Sequence, residues 1–203
     1  MKTRVVIGLA LIAALAGLLW LDHYLAVSSV RWCPVGLPIA LLVVVLGLAG
    51  VAEMAGMAAR CSAPLLRIAA GAGVLAVGTS PLWLPPVPEG PLLLLSAVLA
   101  AAFLEQMIRS RTEKAIGRLG STCLTVVYLG LGSALILALR LRYGVPTLLL
   151  FLAGVKGTDI GAYFAGTLAG RHKLIPWLSP GKSWEGLVGG LLAGAAASLL
   201  VRW

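Results

Sequence analysis

The chain has 203 residues, of which 60% are hydrophobic and 11% charged, and its mean hydropathy is +1.02. A water-soluble domain carries about 25% charged residues, so this composition excludes a soluble globular protein and makes the lipid bilayer the solvent. The net charge of +9 does not indicate a nucleic-acid partner, because the cations lie in short loops between apolar runs, which is the pattern of membrane orientation.

Seven apolar runs approach the roughly 20 residues that a membrane-crossing helix needs: 5–21, 35–52, 65–84, 91–104, 121–139, 146–169 and 186–201. The first, behind Lys2 and Arg4, is laid out like a secretory signal. More membrane follows it rather than a soluble domain, so it reads as an uncleaved span. The fourth is short and needs residues 105–108 to cross. Pro34, Pro64, Pro91 and Pro146 stand at helix entrances, where a missing N–H is harmless. Pro81, Pro85, Pro86 and Pro88 make a stiff turn after the third run. Cys33, Cys61 and Cys123 form no CxxC pair, so neither a disulfide framework nor a zinc site is indicated. No repeat or linker marks a second domain, and the expectation is an all-α, polytopic integral membrane protein with one transmembrane domain over 1–203.

Lys and Arg set the orientation. Counting Arg67 with the loop before it and leaving out Lys156, alternate loops and tails hold eleven cations against four. The positive-inside rule then places the N-terminus and the loop 171–185 in the cytoplasm. Arg140 and Arg142 fall on the opposite side, where a basic pair ending a helix is expected to snorkel.

The segment 157–190 concentrates the chemistry. Ionisable groups near membrane depth are expensive and usually mark a site. Lys156, Asp159 and Tyr163, spaced i, i+3, i+7, share one helix face. The competing reading of the first two is an ion pair that only neutralises two charges. Gly157, Gly161, Ala165 and Ala169 repeat every four residues, as do Gly186, Gly190, Gly194 and Ser198. Such rows let helices approach closely in lipid, so the last two helices are expected to pack tightly, with the polar face of the sixth turned to a cavity. In the loop between them, Gly181-Lys182-Ser183 resembles the end of a P-loop, but Pro176 stands where a Gly is required, and that reading fails. Ser179-Pro180-Gly181 is expected to turn tightly before a helix that Ser183 caps. Glu185 would then lie in the first turn, leaving N–H groups and Lys182 to hold phosphate oxygens. His172, between Arg171 and Lys173, reads most simply as a loop histidine.

The run D-x-G-A-Y-F-x-G at 159–166, then G-R-H-K-L-x-P at 170–176, then S-P-G-K-S-x-E-G at 179–186, resembles the phosphatidate cytidylyltransferase (CDP-diacylglycerol synthase) family. Three linked blocks over about thirty residues are far more specific than a lone glycine motif. Weaker likenesses lie at Glu53, closing the second run, at Tyr128 and at Arg140. The resemblance implies a bacterial inner-membrane enzyme that joins CTP to phosphatidate, with magnesium as cofactor and membrane phospholipid as surroundings. It implies Lys182 and Asp159 as catalytic, with Asp159 also a metal ligand. Lys156, Tyr163, His172, Lys173, Ser179, Gly181, Ser183 and Glu185 are the substrate-binding candidates, and a homodimer is the partner candidate. The family's Ser-x-x-Lys-Arg and His-Gly-Gly blocks, with their acidic metal ligands, are not among these 203 residues. The expectation is therefore a truncated chain without its metal centre, inactive by itself. The alternatives are a non-catalytic relative that serves as an assembly partner, or a small transporter, which would show internal symmetry.

Overall fold

The computed structural model describes residues 2–28, 35–84, 90–110, 112 and 114–202. Helices dominate: α1 (Lys2–Val27), α2 (Leu37–Arg60), α3 (Arg67–Trp83), α4 (Gly90–Ser110), α5 (Ala115–Thr125), a π-helical turn (Val126–Leu131), α6 (Gly132–Ala169) and α7 (Trp184–Arg202). Between α6 and α7 lies an antiparallel pair, β1 (Lys173–Ile175) and β2 (Ser179–Ser183). The all-α expectation therefore holds with the addition of one short hairpin.

Among the described residues four helical stretches are long and apolar enough to cross a membrane: Leu37–Arg60, Gly90–Arg109, Ala115–Ala169 and Trp184–Val201. The chain is thus an integral membrane protein of helical type. Seven separate spans were expected, and three features account for the difference. α3 is only 17 residues long. The first run lies in α1, which is 26 residues long, but only its apolar part Ile12–Val27 falls among the residues counted. The fifth and sixth runs form one stretch of 55 residues, which at about 1.5 Å per residue exceeds twice the hydrocarbon thickness. Its break is at Gly144, with φ 81° and ψ −179° inside α6. Only a residue without Cβ adopts that φ cheaply, and Pro146 then starts the next helical segment, as its position had indicated. The fourth run does take up 105–108, since α4 continues to Ser110.

Contacts divide the chain into two compact units, Met1–Arg142 and Tyr143–Trp203. In the first, α3 is the central element, and Ala70, Val74 and Val77 pack with Val51 of α2 and Val126 of the π turn. Leu66 and Ala69 meet Ala102 of α4. The free N–H groups at the start of α3 are satisfied by other helices: Leu66 N donates to Thr122 Oγ1 at 3.0 Å and Ala69 N to Glu105 Oε2 at 2.7 Å. In an apolar solvent each such group left bare would cost several kcal/mol. Arg140 does not snorkel; it is buried, and its Nε pairs with Asp22 of α1. That pairing explains why Arg140 does not obey the charge rule. Glu53, expected to close the second helix, lies inside α2, which runs on to Arg60.

The second unit contains α6 from Tyr143 onward, the hairpin and α7. The expected close packing of the last two helices is present. A Cβ on Gly157 would come within 2.7 Å of Ala197 Cβ, and one on Gly161 would collide with Ala193. With no side chains between them the backbones approach closely, as rows of small residues allow in lipid.

Candidate functional site

The sequence motifs converge on the hairpin and the two helix ends that carry it. Gly170 N still bonds Gly166 O at 3.2 Å, so α6 ends just before Arg171. The turn that joins the strands is Ile175-Pro176-Trp177-Leu178, closed by Leu178 N donating to Ile175 O at 3.2 Å. Proline at the second position of a β-turn is favoured because its φ is already set. This corrects the expectation of a turn at Ser179-Pro180-Gly181, which is strand: Ser179 pairs with Ile175 and Ser183 with Lys173. Gly181 does not have positive φ.

The helix that follows starts as its sequence indicates. Ser183 is buried, and its Oγ accepts from Gly186 N at 3.2 Å, the N-cap pattern. Glu185 lies in the first turn of α7, where the helix dipole favours a carboxylate. Its oxygens accept from Arg171 N at 3.2 Å, from His172 N at 3.3 Å and from His172 Nδ1 at 2.6 Å. Trp184 N donates to His172 O at 3.0 Å. Glu185 thus fastens both ends of the hairpin together, and His172 is held by it rather than loose. With Nδ1 engaged, the Nε2 edge of the imidazole is free to meet an incoming group. The hairpin brings Lys173 and Lys182 onto neighbouring strands, since the register partner of Lys173 is Ser183. Both lysines are exposed.

Lys156 Nζ lies 3.6 Å from Asp159 Oδ2, with 70% and 67% of the two side chains exposed. Tyr163, on the same face, is also exposed and stacks edge-on against Phe164. The shared face predicted from spacing is present, and so is the ion pair of the competing reading. Tyr128 lies in the π turn and is exposed.

The donor set for a metal can be tested directly. Asp159 is engaged by Lys156, Glu185 by the hairpin, Glu105 by α3 and Arg109, and Asp22 by Arg140. No three His, Cys, Asp or Glu side chains that could hold a metal ion gather among the described residues. Magnesium needs several oxygen ligands arranged beforehand, so the described residues do not fit a magnesium site, and no step is drawn through one.

Comparison with known proteins agrees with the motif blocks. The chain is similar to the phosphatidate cytidylyltransferase of Pseudomonas aeruginosa, 65% identical over 37 residues, which is 18% of this chain and 14% of the relative. It is similar to that of Mycobacterium leprae, 45% identical over 49 residues, 24% of this chain and 16% of the relative. To that of Brucella suis it is 46% identical over 59 residues, 29% of this chain and 22% of the relative. The matched segments therefore span no more than 22% of the length of these relatives. No solved structure matches the chain. The profile of the family described as the cytidylyltransferase family matches residues 2–203, and the chain belongs to that family.

Proposed function

We propose that the protein works in phosphatidate cytidylyl transfer. In that reaction a phosphatidate oxygen attacks the α-phosphorus of CTP, a new P–O bond forms, and the bond to the β-phosphate breaks to release pyrophosphate and CDP-diacylglycerol. An anion attacking a polyanion needs alignment and charge neutralisation above all. The observation that carries the reading is the basic hairpin, which sets Lys173 and Lys182 on adjacent strands between two apolar helices. A lipid phosphate and a soluble nucleotide meet at such a surface. In this scheme Lys182 and Lys173 hold phosphate oxygens, and His172, oriented by Glu185, presents Nε2 to a third. Ser179 and Gly181 offer strand backbone to the nucleotide. Ser183, already the cap of α7, acts by fixing the strand rather than by touching substrate. Lys156, Asp159 and Tyr163 give the polar wall along which the head group enters.

We also infer a bacterial inner-membrane location with seven crossings, the loop 171–185 facing the cytoplasm, where CTP is made. Support comes from the charge asymmetry of the loops.

The decisive experiment compares Lys182→Ala with Lys114→Ala in the membrane-embedded protein. Lys182→Ala should lower CTP turnover by an amount on the order of 2 to 4 kcal/mol in transition-state stabilisation, and Lys114→Ala should change it little. Equal losses would mean general basicity and would sink the assignment.

A further inference from the structure

The hairpin has a second property that phosphate chemistry does not explain. Its turn ends in Trp177 and Leu178, which are 85% and 68% exposed. Trp184, where the hairpin returns to α7, is exposed as well. Large apolar side chains held outward on a tight turn are costly in water. The strands that hold them carry Lys173 and Lys182, with Arg171 just before them, and Glu185, the one acid at their base, is occupied by His172 and the backbone. The tip is therefore apolar and its shoulders cationic.

We propose that this hairpin is an interfacial anchor: it lies along the membrane surface with Trp177 and Leu178 in the boundary between head groups and acyl chains, and Arg171, Lys173 and Lys182 against anionic lipid phosphates. Three arguments favour the bilayer over a protein partner. Both ends of the hairpin are ends of helices apolar enough to cross a membrane, so a bilayer surface is always beside it. A five-residue strand spans about 17 Å, so an upright hairpin would hold its tip in water, whereas a reclining one reaches the interface. Tryptophan with flanking cations is the composition that partitions there. The inference goes beyond the proposed reaction and does not depend on it, because the recognised chemistry is an anionic surface rather than a particular lipid.

The test keeps Trp177 as the single tryptophan, with Trp20, Trp32, Trp83, Trp184 and Trp203 replaced by Phe, in nanodiscs of phosphatidylcholine with or without phosphatidylglycerol. Trp177 should be quenched by lipids brominated near the head group and protected from aqueous acrylamide. Phosphatidylglycerol should raise the docked population, and each of Lys173→Gln and Lys182→Gln should lower it by about fivefold. If the Phe variant does not fold, a nitroxide on Trp177→Cys, with Cys33, Cys61 and Cys123 replaced by Ser, reads the same depth. Free access to acrylamide without lipid quenching would place the tip in water and overturn the anchor. Protection from both quenchers would show that protein covers it, which overturns it equally. Lipid quenching that ignores phosphatidylglycerol would remove the role given to the cations. No phosphatidate or CTP is present, so failure here leaves the reaction untouched, and failure of the reaction leaves the anchor untouched.

Discussion

Asp22 and Arg140 show what a single buried charge pair does in this protein. They are 118 positions apart, and both are buried. The pair ties α1 to the last turns before the Gly144 break. In low dielectric, removing one partner leaves the other charge stranded, at a cost of about 3 to 5 kcal/mol, whereas removing both together costs much less. Arg140→Gln should therefore lower the thermal-unfolding midpoint in detergent sharply, and Asp22→Asn combined with Arg140→Gln should recover most of the loss. A double variant as unstable as the single would mean that the pair does not act as a unit. Their pairing was not legible in the sequence. Asp22 lay outside the motif blocks, and Arg140 looked like a snorkelling cation, because charge partners so far apart in the chain leave no local spacing signal.

At the scale of elements, the contact of α6 with α7 was legible from its rows of small residues, since four-residue spacing of Gly and Ala has few other uses in an apolar helix. Gly161→Val puts two methyl groups where Ala193 already sits, and overpacking of this kind costs typically 1 to 3 kcal/mol. We expect that variant to lose stability and the hairpin to loosen with it, which hydrogen exchange at Arg171 and His172 would report. Gly71→Ala is the control, since nothing lies within 4 Å of the added methyl and the helix gains a better helix former, worth up to about 1 kcal/mol. Similar losses for the two would refute the close-contact argument. The hairpin itself was misread. The turn was expected at Ser179-Pro180-Gly181, and a local reading could not tell that it would form around Pro176 until the pairing of Lys173 with Ser183 fixed the register.

For the molecule as a whole the open quantity is orientation. With Cys33, Cys61 and Cys123 replaced by Ser, a Cys at Ser179→Cys should resist a membrane-impermeant thiol reagent in intact cells and react once the cells are permeabilised. Labelling in intact cells would reverse the topology and place the basic hairpin on the side opposite to the one proposed. The experiment reads the second unit directly, because Ser179 belongs to the hairpin between α6 and α7.

The sequence by itself determined the solvent, the helical class and the segment that holds the family's motif blocks. Hydrophobic run length and the scarcity of charge are summed along the chain and need no knowledge of which helices touch. It also determined the helix break beside Pro146 and the cap at Ser183, which depend on neighbours within a few residues. Only the tertiary structure decided that Glu105 and Thr122 complete the start of α3, that Arg140 is held by Asp22, and that Glu185 orients His172 instead of waiting for a ligand. In an apolar solvent a polar group must find its partner inside the protein, and that partner is chosen by which helices meet rather than by distance along the chain.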